Sequence, residues 1–146
     1  MPAQSAKRLG QFAAITVIGF GLITALGSNP ATNALPNILV DLLHWPFNGL
    51  EQVDTPAARV IAAIAGGVMV GWGINLLLIT NHLFDTNNRL WCLLVFPGLA
   101  CWYVVDSTGS VLSGAWLNAW LNLSFLVMFG AAYWMRSRAV DRAQTV

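Results

Sequence analysis

Residues 57–79 read AARVIAAIAGGVMVGWGINLLLI, and this stretch decides the fold. Beyond Arg59 it carries no charge, and its one amide side chain is Asn75. About 20 apolar residues in helical form cross the hydrocarbon core of a bilayer. Lipid offers no partner to backbone N–H and C=O groups, so such a segment must satisfy itself as a helix. The whole chain agrees: 57% of its residues are hydrophobic and 9% charged, against about 25% charged in a soluble domain.

Three more apolar runs flank this one, at about Leu9 to Gly27, Leu90 to Val105 and Val111 to Met135. The third span is the shortest and contains Pro97 and Gly98. The expected fold is therefore all-α: an integral membrane four-helix bundle in one domain, residues 1–146. Lys7 and Arg8 followed by an apolar run ending Ala25-Leu26-Gly27 share the outline of a signal peptide. The run exceeds the roughly 7–15 residues of a signal core, so it reads as a retained span. Charge placement supplies the orientation. Lys7 and Arg8 precede the first span, Arg89 lies between the second and third, and Arg136, Arg138 and Arg142 follow the last. The long first loop holds Asp41, Glu51 and Asp54 against Arg59, and the last loop holds Asp106. The positive-inside rule puts both termini in the cytoplasm, as an even number of spans requires. The predicted location is the bacterial inner membrane, multi-pass. A net charge of +1 without a basic stripe disfavours nucleic acid as a partner.

The loop from Ser28 to Thr55 is long enough to have structure of its own. Leu35, Ile38, Leu39, Leu42 and Leu43 form an i, i+3, i+4 stripe, with Asn37, Asp41 and His44 elsewhere. Pro36 suits a first helical turn and Pro46 ends the pattern. These signals predict a short amphipathic helix over about 36–45, lying on the outer membrane surface or capping the bundle. Asp54-Thr55-Pro56 reads as the cap and first turn of the second span.

Two spans carry small or polar residues at four-residue spacing: Gly67, Gly71 and Asn75 in the second, and Gly114, Asn118 and Asn122 in the fourth. Under the assigned topology these spans run parallel, with Gly67 near the level of Asn118 and Gly71 near Asn122. Each asparagine amide then fits the gap left by a glycine, the usual glue of membrane bundles. The functional alternative is a polar pocket built from Asn75, Asp106, Asn118 and Asn122. Trp116 and Trp120 lie about 180° from the asparagine face, which predicts that they look outward, toward lipid, a pigment or a partner subunit. Asp106, in the run Asp106-Ser107-Thr108-Gly109-Ser110, suits a tight turn and an ion pair with Arg59. An intramembrane carboxylate is also a candidate proton or cation site. His44 and His82 fall on opposite sides of the membrane, which disfavours a bis-histidine haem. Cys92 and Cys101, nine residues apart, lie on opposite faces of one helix. No metal site and no catalytic set is predicted, and no cofactor beyond lipid or pigment contact.

The run Gly66-Gly67-Val68-Met69-Val70-Gly71-Trp72-Gly73, with Asp106-Ser107-Thr108-Gly109-Ser110, Asn118 and Asn122, resembles small four-helix proteobacterial membrane proteins of the broad DoxX-like kind. The resemblance spans roughly the second to fourth helices and implies a helical membrane bundle; it brings no catalytic residue with it. The function expected is a non-catalytic accessory or assembly subunit of a larger membrane complex, respiratory or photosynthetic. Its partners are lipid and other membrane subunits or copies of itself. The alternative is a small transporter or ligand-binding membrane protein using the Asn/Asp cluster.

Overall fold

A computed structural model describes residues Pro2–Gln144, with side chains placed from Gln4 to Val140; Arg142, counted above among the flanking charges, lies outside the described side chains. The described residues form five helices: α1 (Pro2–Leu26), α2 (Ala34–His44), α3 (Pro56–Leu83), α4 (Asn88–Leu112) and α5 (Trp116–Gln144). Three of them, α1 from Gln4, α3 and α4, are long and apolar enough to cross a membrane. The fourth expected span, α5, has 29 residues but falls outside that set. Asn118, Asn122 and Ser124 dilute its first half, and Arg136 and Arg138 its end.

The helix starts follow from local chemistry. Thr55 Oγ1 accepts a hydrogen bond from the Ala58 amide at 3.1 Å, and Pro56 opens α3 where no N–H is needed. Asn87 Oδ1 caps α4 by accepting from the Leu90 amide at 3.0 Å. The end of α4 corrects the sequence reading. The run Asp106–Ser110 is not a turn; it continues the helix to Leu112. Its side chains bond to one another and to α5, so they do not compete with the helical backbone. The reversal comes later, at Ser113-Gly114-Ala115. Gly114 has φ +91, a left-handed conformation that costs glycine little. Gly114 therefore forms the turn, belongs to no helix face, and lets α5 start at Trp116.

The four long helices form a ring in the order α1, α3, α4, α5, closed by α1 against α5; α2 lies across α1 and α5 at one end. The tightest seam joins α1 to α3. A Cβ on Gly66 would stand 2.5 Å from the Ala25 nitrogen and 2.6 Å from the Gly21 oxygen. The two backbones touch there, and only glycine permits it. In contrast, α3 and α5 sit on a diagonal and do not approach each other. The predicted pairing of Gly67 with Asn118 and Gly71 with Asn122 is thus overturned.

Aromatic rings fill the interior in two levels. A chain of ring contacts, Trp72–Trp102, Trp102–Phe125 and Phe125–Phe20, touches all four long helices. Toward the end away from α2, Phe84, Trp91 and Phe129 are fully buried, and Trp91 stacks on Tyr133 with centroids 6.2 Å apart. The buried Trp91 Nε1 donates to Thr80 Oγ1 at 3.0 Å. This end is closed by bulky rings, while the buried hydrophobic residues at the α2 end, Val53, Ala62 and Ala115, are small.

Candidate functional site

The polar cluster expected from the sequence forms in part. Asp106, Ser107 and Ser110 of α4 meet Asn118 and Asn122 of α5. Asn118 Nδ2 donates to Ser110 Oγ at 2.8 Å and to Asp106 Oδ1 at 3.3 Å; Ser110 Oγ donates to the same Asp106 oxygen at 3.2 Å. One turn deeper, Asn122 Nδ2 donates to Ser107 Oγ at 3.3 Å, and Asn122 is buried. These groups clasp α4 to α5. Asn75 is not among them: it stands exposed on α3 and makes no hydrogen bond among the described residues.

The glycines of α3 divide between two faces. Gly66 and Gly73 form the seam against α1. Gly67 and Gly71, predicted as packing residues, lie about 100° or more around the helix and meet nothing within 4 Å. With Asn75 they make one open stripe on the outside of α3. Adding a Cβ at Gly114 meets only His44 Cδ2, at 3.7 Å.

The Arg59–Asp106 ion pair is not formed. Asp106 is occupied by Ser110 and Asn118, and Arg59 pairs with no carboxylate among the described residues. Its Nε is buried without a partner. The salt bridge among the described residues is instead Lys7–Asp85 at 2.6 Å, at the end away from α2. Arg136 donates to the Phe84 and Asp85 carbonyls at 3.5 and 3.1 Å, so basic residues of α1 and α5 converge on the end of α3.

Trp116 and Trp120 are 43% and 65% exposed. Trp120 borders a recess of about 420 Å³ between α1, α2 and α5. In α2 the apolar stripe divides: Pro36, Leu39 and Leu43 turn inward, while Leu35, Ile38 and Leu42 stay exposed. Asp41, predicted simply to lie off the stripe, is 2% exposed and organises the loop behind the helix. It accepts hydrogen bonds from the Asn48 amide at 3.0 Å and the Gly49 amide at 2.9 Å. Burial by itself raises a carboxyl pKa, but the Gly49 amide, Glu51 and the Asn48 amide outweigh it and hold Asp41 below its ordinary value.

Under α2 lies a cavity of about 580 Å³ that no sequence pattern announced. Leu39 and Val40 of α2 roof it, Ala58, Ala62 and Ala65 of α3 form its floor, and Thr24 of α1 closes one side. His44, Gln52 and Ser113 supply its polar atoms. His44 Nδ1 bonds the Val40 carbonyl at 2.8 Å; a carbonyl only accepts, so Nδ1 carries the proton and Nε2 is left for another partner. The signal that could have found this cavity is the helical spacing of Ala58, Ala62 and Ala65, a small-residue side of α3 opposite an amphipathic helix.

No group of three or more His, Cys, Asp or Glu side chains able to hold a metal occurs among the described residues. Comparison with protein-family models, curated proteins and solved structures finds no match.

Proposed function

We propose that the chain is a four-span subunit of a bacterial inner membrane that works by association, presenting the outside of α3 to a helix of another subunit or of a second copy. The observation that carries this reading is the open stripe of Gly67, Gly71 and Asn75. By helical rise, Asn75 lies roughly 8 Å from the midpoint of α3, well inside the hydrocarbon. An amide there is costly without a partner, and small residues one turn apart are what lets two membrane helices approach. The exposed Trp120 supports a second contact on α5. The reading includes α5 as the fourth span, α2 on the outer surface, both termini in the cytoplasm and kinship with the DoxX-like bundles.

Extraction in a mild detergent followed by native sizing tests the proposal. The expected result is a species larger than one chain, which Gly71→Leu and Asn75→Leu each reduce to a single folded chain. A clean single-chain species from the unaltered protein would sink it. A second reading, ligand binding at the Asp106–Asn118 cluster, draws on the half-buried carboxylate of Asp106 inside α4. Substituting Asn118→Leu separates the two: a loss of stability alone fits the clasp, and a loss of ligand binding in a folded variant fits the site.

A further inference from the structure

The cavity under α2 is independent of the α3 stripe, and its lining is selective. At about 580 Å³ it falls within the ~300–1,000 Å³ range of small-molecule sites. Its walls are aliphatic: among the described residues no Phe, Tyr or Trp lines it, although aromatic residues make up 11% of the chain and an aromatic layer crosses the bundle nearby. Planar ring systems prefer ring partners, so this lining favours a saturated chain over a flat conjugated ligand. Among the described residues no Lys, Arg, Asp or Glu lines it either. A charged head would be uncompensated inside, so a chain can enter but its headgroup cannot follow. The polar atoms on hand suit a neutral hydrogen-bonding end: His44 Nε2 is free, and Gln52 spends its amide on the Gly49 carbonyl at 2.9 Å, leaving its oxygen.

The space is also preformed. Ala58, Ala62 and Ala65 lie along one side of α3 over about 10 Å of rise, and each is small where a leucine would fill the gap. The α2 roof does not depend on the ligand for its shape. Asp41 fastens its back to Asn48 and Gly49, and Asn37 Oδ1 accepts from the Val53 amide at 2.9 Å. The exposed apolar side of α2, with Leu35, Ile38 and Leu42, sets this roof at the level of the lipid chains.

We infer that this cavity is a binding site for one long acyl chain, held between α2 and α3, with its charged headgroup left outside beyond His44, Gln52 and Ser113. Two sources share that chemistry: a free fatty acid and a chain of a bilayer phospholipid. The test is photolabelling of the full chain reconstituted in phosphatidylcholine vesicles, with labelled residues mapped by mass spectrometry. One arm adds palmitic acid bearing a diazirine near its methyl end; the other uses phosphatidylcholine carrying the same group on one chain.

The expected result is that Val40, Ala62 and Ala65 are labelled about tenfold more than Val105, an exposed residue of α4 away from both the cavity and the α3 stripe, a ratio equivalent to about 1.4 kcal/mol. Enrichment in the first arm alone assigns the site to a free acid, and enrichment in the second assigns it to a bilayer lipid; both support the inference. Ala65→Phe, and separately Val40→Phe from the α2 side, should remove the enrichment and leave Val105 labelling unchanged. Equal labelling of Val40, Ala65 and Val105 in both arms overturns the inference whether or not either variant folds.

Discussion

Asp41 and the neighbouring glycines Gly66 and Gly67 carry the sharpest consequences at the scale of single residues. Asp41 is held charged by amide donors, so its folded-state pKa lies below its unfolded value of about 3.9. The stabilisation it gives is full above that unfolded value and fades as pH falls through the lower folded one. Protection of the Asn48 and Gly49 amides from hydrogen exchange, corrected for intrinsic rate, should be constant from neutral pH down to the carboxylate range and drop below it. Asp41→Asn should lower protection at neutral pH and abolish the step; an unchanged acid step in that variant would refute the assignment. The glycines make an internal comparison. Gly66→Leu drives a side chain into the α1 backbone and should cost at least the ~1–3 kcal/mol of an overpacked core. Gly67→Leu meets open space, so the thermal midpoint of a single chain should hold or rise, because leucine is a better helix former. Two glycines in succession with opposite outcomes show what the sequence could not express. The stripes Gly66–Gly73 and Gly67–Gly71 both have helical spacing, and only the position of α1 decides which is the seam.

The clasp between α4 and α5 sets what can be tested at the scale of elements. Asn122 is buried and bonded to Ser107. Asn122→Leu should therefore lower stability by roughly the 0.6–2 kcal/mol of an interhelical polar bond in a membrane bundle. Ser107→Ala should cost a similar amount, and the double variant less than the sum, since both remove one contact. Full additivity in a thermal or denaturant series would show that the two residues do not act on each other. The helices themselves were legible in the sequence because lipid leaves the backbone no alternative, and the α3 start was legible in Thr55 and Pro56. The α4 end was not. Asp106-Ser107-Thr108-Gly109-Ser110 has the composition of a turn, yet its side chains find partners on α5, and the chain reverses at Gly114. That difference rests on a tertiary contact, and no local pattern encodes it. The α2 helix was legible, but its buried Asp41 and the cavity beneath it depend on how the loop folds back.

At the scale of the whole molecule the number of spans turns on α5. Its polar content keeps it out of the span-capable set, while α1, α3 and α4 belong to it. Two features argue that it crosses. It closes the ring between α1 and α4 along the bundle, with Phe125 and Phe129 buried among the rings of its neighbours. Its polar groups are also spent inside the protein: Asn118 and Asn122 face α4, so the surface it turns to lipid is more apolar than its composition. A bundle partner satisfying buried amides is the condition under which lipid tolerates them. A fourth span also sets Arg136 and Arg138 at the end where Lys7 and Asp85 pair, gathering the basic residues on one side as the positive-inside rule requires. Three spans would put the two termini on opposite sides of the membrane, and four put them on the same side. Fusing a reporter active only in the cytoplasm to the N-terminus in one variant and to the C-terminus in another should give activity in both. A silent C-terminal fusion beside an active N-terminal one would reduce the chain to three spans, leave α5 on the far surface, and remove the basis for the proposed orientation.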